Sequence, residues 1–286
     1  MVKNKGEKAL FKTDVYKGKK EDYVKTLKYL AELAEDEKWS FSRDEKKPFR
    51  ILENYIEFTY NRLEEENKML VSSEGKKMCM NTGLLTKYRQ EIVALFTKYS
   101  GSYLPNCKWC FVGFYKSSDR IITDEFDRIP EIADYTSDTT DLIYDRHLRI
   151  VCQKEHIIDD NFQRFLEAGY NDQSLINALL DNAIKTIELK LQRNYKLALP
   201  FYYHNTETGE KKIQLLAPLY MAGAPVKLAL VLDRKENHYE AITVLPVTWA
   251  YMNARVIVRP EEEWAKIVDE ADEPIAEAFK DSIDNQ

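Results

Sequence analysis

Leu228-Ala229-Leu230-Val231-Leu232 decides how the chain is read. Five apolar residues in a row show no polar alternation, and a strand of that kind is covered on both faces. Extended runs flank it: Leu197–His204, Lys211–Ala217 and His238–Leu245, with Lys227–Asp233 as the run that contains the apolar five. The connections, Asn205–Glu210, Pro218–Val226 and Arg234–Asn237, are short. Short connections favour antiparallel neighbours, because a parallel crossover needs a dozen residues or more. The stretch 197–245 therefore predicts an antiparallel meander. Helical patterns on either side would cover it, giving an α+β fold.

Upstream of the meander, Ser174 to about Asn194 has helical spacing, with Leu175, Leu179, Ala183 and Ile187 on one face and Ser174 as N-cap. A shorter helix is expected from about Asp160 to Glu167, capped by Asp159 or Asp160. Trp109–Lys116, Arg120–Thr123, Leu142–Tyr144 and Leu148–Val151 read as extended. The first third reads as helical, over 22–35, from Pro48 to Met69, and from about Thr86 to Tyr99. In the last of these, Tyr88, Ile92, Leu95, Phe96 and Tyr99 form the apolar stripe. Downstream, helices are expected from Val247 to about Ile257 and over Glu261–Glu270. No repeat and no Pro- or Ser-rich linker is visible, so the expected organisation is a basic arm at 1–20, one α+β domain at 21–265 and an acidic tail at 266–286.

Charge marks the two ends. The chain of 286 residues has a net charge of -6. Pro260 to Gln286 holds ten acids and two lysines, a balance of -8, which leaves +2 for the rest. The first 20 residues carry seven lysines against Glu7 and Asp14. A basic arm can draw in nucleic acid and an acidic tail can meet a protein partner, while both also suit solvated chain ends. No apolar run approaches the ~18 residues of a membrane helix. The N-terminus has no apolar leader, so a cytoplasmic protein with reduced cysteines is expected.

Most signatures of chemistry are missing. Phosphate-loop, dinucleotide, zincin and serine-hydrolase patterns do not occur, and only nine glycines are available for phosphate-cradling loops. Cys107-Lys108-Trp109-Cys110 has metal-ligand spacing, but no second pair accompanies it. No metal and no cofactor is expected, and no catalytic residue stands out. The candidate ligand-binding residues are polar groups set among apolar ones. Asn81 and Thr82 precede Gly83 at an expected helix start, where free N–H groups suit an anion. Asn194 and Lys196 join a long helix to the meander. Tyr202 and Gln214 lie on meander strands. Tyr251 and Arg255 are neighbours at i, i+4 on a helix, with Asn253 roughly on its other side. Each also has a structural reading, since buried amides must find partners and buried aromatics fill cores.

Asn81-Thr82-Gly83-Leu84, Asn194-Tyr195-Lys196, Ile213-Gln214-Leu215-Leu216, Leu228–Arg234 and Tyr251-Met252-Asn253-Ala254-Arg255 follow one another in an order that resembles a bacterial family of domains of unknown function, number 3825. Family members are sometimes joined to cold-shock or OST-HTH modules, which bind RNA, so the resemblance implies an RNA-related setting. It implies no reaction and no catalytic residues. The leading expectation is an RNA- or nucleotide-handling protein, with tyrosines at 195, 202 and 203 stacking on bases and Lys190, Arg193 and Lys196 meeting phosphates. A scaffold acting through the acidic tail and an enzyme acting on a small phosphate-bearing nucleotide are the alternatives.

Overall fold

A computed structural model describes residues 15–41, 48–101, 106–205, 208–222 and 225–272. Most of the basic arm and the end of the acidic tail lie outside these residues. The described chain forms two compact units, one of residues 15–40 and 48–137, the other of Phe41 and 138–272.

The first unit begins with β1 (Val15–Tyr16), α1 (Lys20–Leu33) and α2 (Arg50–Glu65). It continues with β2 (Leu70–Val71), β3 (Lys77–Leu85), β4 (Glu91–Lys98), β5 (Trp109–Lys116) and the four-residue α3 (Arg120–Thr123). The strands form a sheet in the order β1-β5-β4-β3-β2, antiparallel except for β1 beside β5. On one face, Tyr60 of α2 packs against Phe96 and Tyr23 of α1 against Phe111, with ring centroids 5.6 and 5.8 Å apart. On the other, Ile122 and Phe126 cover Cys79, Val93 and Leu95.

The helix expected over Thr86–Tyr99 is therefore strand β4, and the N-terminal third is not helical. It contains two helices of 14 and 16 residues followed by a hairpin of β-sheet. The spacing of Tyr88, Ile92, Leu95, Phe96 and Tyr99 fits a helix. The contiguous run Ile92-Val93-Ala94-Leu95-Phe96 equally fits a strand buried on both faces, and its β-branched and aromatic residues favour that state. Arg120–Thr123, expected as extended, is a helical turn.

The second unit opens with a 3-10 turn at Thr139–Leu142, then β6 (Arg149–Cys152), α4 (Lys154–Glu167) and α5 (Gln173–Arg193). A second 3-10 turn (Tyr195–Leu197) leads into β7 (Leu199–His204), β8 (Lys211–Pro218), β9 (Leu228–Arg234) and β10 (His238–Pro246). The chain then forms α6 (Val247–Ala254) and α7 (Glu262–Asp272). The meander is present, with Leu228 through Asp233 all buried on its inner strand β9. A fifth strand joins it, since β6 lies parallel to β10, giving the order β6-β10-β9-β8-β7. Asp172, not Ser174, caps α5, accepting the backbone N–H of Ser174 and of Leu175.

The two units share one topology. Each runs strand, two helices, then a four-stranded meander whose last strand pairs in parallel with the first. No sequence repeat marks this, because a fold constrains the pattern of burial far more than the residue at each position.

Candidate functional site

Asn81 and Thr82 build a bulge in β3. The ladder pairs Asn81 with Val93 and next pairs Leu85 with Glu91, so three residues of β3 face one of β4. The Asn81 amide donates to a Glu91 carboxylate oxygen and to the Pro130 carbonyl, both at 3.0 Å, and its Oδ1 accepts from Gly83 N–H at 2.9 Å. Thr82 Oγ1 donates to the Ile92 carbonyl at 2.6 Å and accepts from Leu84 N–H. Gly83 adopts a φ of +73°, and a Cβ there would lie 2.7 Å from the Tyr55 hydroxyl. With both amide nitrogen and oxygen engaged, Asn81 holds the bulged backbone in place.

Asn194 and Lys196 serve a different junction. The Asn194 side chain accepts from Lys196 N–H at 3.2 Å. Lys196 Nζ pairs with Glu261 at 2.9 Å, and that hydrogen bond raises the Lys196 pKa. One residue on, the Leu197 carbonyl accepts from Trp264 Nε1 at 2.8 Å, with Trp264 1% exposed. These bonds anchor the start of α7 at the head of β7. The surface depression beside them is lined by Arg259, Pro260, Glu261, Glu262 and Glu263, a mainly acidic set that disfavours phosphate. Lys190, expected among the phosphate contacts, lies over the Tyr220 ring at 4.3 Å. Tyr251 and Arg255 are buried, at 2% and 7% exposure, while Asn253 is half-buried.

Outside the candidate residues, two polar side chains of α4, Asn161 and Arg164, come together. Arg164 donates to Asn161 Oδ1, Thr243 Oγ1 and the Val244 carbonyl at 2.7, 3.1 and 2.6 Å. This ties a kink in α4 at Asn161 to a bulge in β10.

Gln214 has the surroundings of a site. It opposes Phe201, and two residues away Lys212 opposes Tyr203, so all four share one face of the sheet. Asp233 and Glu240 are paired on the neighbouring strands. Asp233 is 4% exposed and receives Lys212 Nζ at 3.0 Å and Lys235 Nζ at 2.7 Å. Burial pushes the Asp233 carboxyl up, but the hydrogen bonds from Lys235 and Lys212 outweigh it and leave its pKa below the ordinary value. Lys235 also reaches Glu240 at 3.3 Å, Lys212 reaches Glu210 at 2.9 Å, and Lys212 stands 5.7 Å from the centre of the Tyr203 ring. Gln214 is only 4% exposed, yet its side chain makes no hydrogen bond among the described residues. Tyr202, expected together with Tyr203 as a stacking residue, opposes Ile213 and faces the other side. One residue of register separates the two tyrosines, and in a strand that is the whole difference between faces.

The candidate site is thus a corner of the β7–β10 face with a half-buried aromatic pair, two lysines and an unengaged amide. Lys212, Asp233 and Lys235 were missed from the sequence. The pattern Lys212-x-Gln214 on a strand was the available signal, but the pairing with Asp233 needs the fold.

The family model described as domain of unknown function (DUF3825) matches residues 30–264. The chain belongs to this family. The DUF3825 match spans the bulge at Asn81, the junction at Asn194–Lys196 and the corner at Gln214. No curated protein and no solved structure matches the chain. Among the described residues, no helix is long and apolar enough to cross a membrane, and no group of three His, Cys, Asp or Glu could hold a metal ion.

Proposed function

We propose that this DUF3825 protein binds single-stranded RNA on the open corner of its β7–β10 sheet. The Gln214 amide carries the reading. A nearly buried amide without a protein partner leaves hydrogen-bonding capacity worth ~1–3 kcal/mol to be met by water or ligand. A base edge presents matching donors and acceptors. Beside it, Tyr203 offers a ring for stacking, and Lys212 and Lys235, which share the carboxylates of Asp233, Glu210 and Glu240, are the cations within reach of a backbone phosphate. Asp233 holds both lysines charged and in place, so little side-chain freedom remains to be lost on binding.

Titration of the full chain into a labelled, unstructured RNA of ~20 nucleotides tests this. Tyr203→Ala should weaken binding ~5- to 100-fold, the loss of about one stacked base. Tyr202→Ala, on the opposite face, should leave affinity unchanged. Gln214→Leu should flatten any preference among bases, because the amide is the group able to read an edge. Affinity should fall as salt rises, with a slope of about -0.7 per phosphate contacted. Equal effects of the two tyrosine substitutions, or no binding by the wild-type chain at low salt, would remove this reading.

A further inference from the structure

The turn between β3 and β4 displays a second aromatic group. Tyr88 is 90% exposed, in a sheet whose other aromatics are mostly packed away. Its neighbours Lys87 and Arg89 are also exposed. Lys87 pairs with Asp36 at 3.0 Å, but both side chains are well exposed, a situation in which an ion pair is readily given up. Arg89 makes no ion pair among the described residues.

The tip is braced. Thr86 N–H donates to the Gln90 carbonyl and Arg89 N–H to the Thr86 carbonyl, both at 2.8 Å. The buried Thr86 hydroxyl accepts from Tyr88 N–H at 3.3 Å and from Gln90 N–H at 3.1 Å. From outside the hairpin, Glu35 N–H donates to the Leu85 carbonyl at 2.9 Å, and Ala34 bridges Thr86. Arg89 adopts a φ of +60°, a region unfavourable to a residue with a side chain, where glycine would fit at no cost. Arg89 thus follows Tyr88 in the turn at a position where glycine would meet no strain.

We infer that the Lys87-Tyr88-Arg89 tip is a stacking finger for single-stranded nucleic acid. Three side chains at a hairpin tip fall far short of the ~800 Å² per partner that a stable protein interface needs. A single ring is enough to stack on one base, and the flanking cations suit the phosphates on either side. The site is separate from the sheet corner and shares with the proposed function only its ligand class.

The test uses the full chain and a labelled oligouridylate of ~20 nucleotides. Tyr88→Ala should weaken binding ~5- to 100-fold with no change in melting temperature, since the side chain is solvent-exposed. Tyr88→Phe should bind as the wild type, because stacking needs the ring and not the hydroxyl. Arg89→Gly preserves the backbone shape, so it should keep the fold and lower the salt slope by about 0.7. Tyr203→Ala separates the two proposals. Loss with Tyr88→Ala alone upholds the finger and removes the sheet corner, whereas loss with Tyr203→Ala alone does the reverse. Tyr88→Phe as damaging as Tyr88→Ala would overturn stacking. So would a Tyr88→Ala chain that binds RNA normally but loses binding to phosphatidylserine vesicles, which would make the tip a membrane contact.

Discussion

The two sheets have the same strand topology and different covers. In the first unit, the sheet is walled on one side by rings from α1 and α2, against β5 and β4, and on the other by Ile122 and Phe126, against β3 and β4. In the second, β9 is as deeply buried, but the face carrying Phe201, Tyr203, Lys212 and Gln214 remains partly open at one corner. At that corner two nearly buried polar residues, Asp233 and Gln214, sit beside Lys212 and Lys235. Two polar residues of the first unit, by contrast, have their bonding filled by the protein. Asn81 and Thr82 spend theirs on a bulge, while Gln214 has its amide unengaged.

The largest effects should come from the buried strands and test whether the two cores are equivalent. Leu230→Asp in β9 and Leu95→Asp in β4 each place a charge where the native side chain is at most 1% exposed. An unpaired buried charge costs several kcal/mol, close to the whole margin of a domain. Hydrogen exchange read by mass spectrometry should show protection lost over 199–246 in the first variant and over 77–116 in the second. Retained protection in either would show that its strand is not core.

Two glycines sharpen the comparison at an intermediate level. Gly83 and Gly209 both have positive φ, +73° and +75°, but only Gly83 has an atom, the Tyr55 hydroxyl, in the way of a Cβ. Gly209→Ala should cost ~1 kcal/mol from backbone strain alone, and Gly83→Ala ~2–3 kcal/mol. Urea denaturation measures both, and equal losses would mean that the bulge at Asn81 yields to the added methyl.

Asp233 tests the open corner by pH. Its folded pKa lies below the unfolded value, so the unfolded chain takes up a proton first as pH falls. Its contribution is complete above the unfolded pKa of ~4 and is lost as pH falls through the lower folded value. Asp233→Asn should cost ~1–3 kcal/mol at pH 7 and flatten the acid limb of the stability curve. An unchanged acid limb would mean that Lys212 and Lys235 do not hold the carboxylate in solution. The smallest effect belongs to Lys196. Its pair with Glu261 is exposed on both sides, so Lys196→Ala should leave the melting temperature unchanged.

Much of this protein follows from local pattern. The apolar run at 228–232, the extended runs beside it and the short connections are enough to specify the meander at 197–245, because antiparallel neighbours are close in sequence and their pairing needs little long-range information. The helices α2 and α5 follow from spacing for the same reason. The run at 92–96 could not be assigned from pattern alone. An apolar stretch buried on all sides has no polar residues to set its period, and only the partners β3 and β5 decide that it is a strand. Parallel strands β1 and β6 were equally hidden as partners, since each pairs with a strand more than eighty residues away. The same limit applies to the site. Gln214 could be singled out as an amide in an apolar strand, and Lys212 lies two residues before it, but Asp233 and Lys235 come from a separate stretch of chain. A strand shows its two faces in the sequence without saying what each will meet; that depends on packing, which set Tyr203 beside Lys212 and turned Tyr202 to the other face.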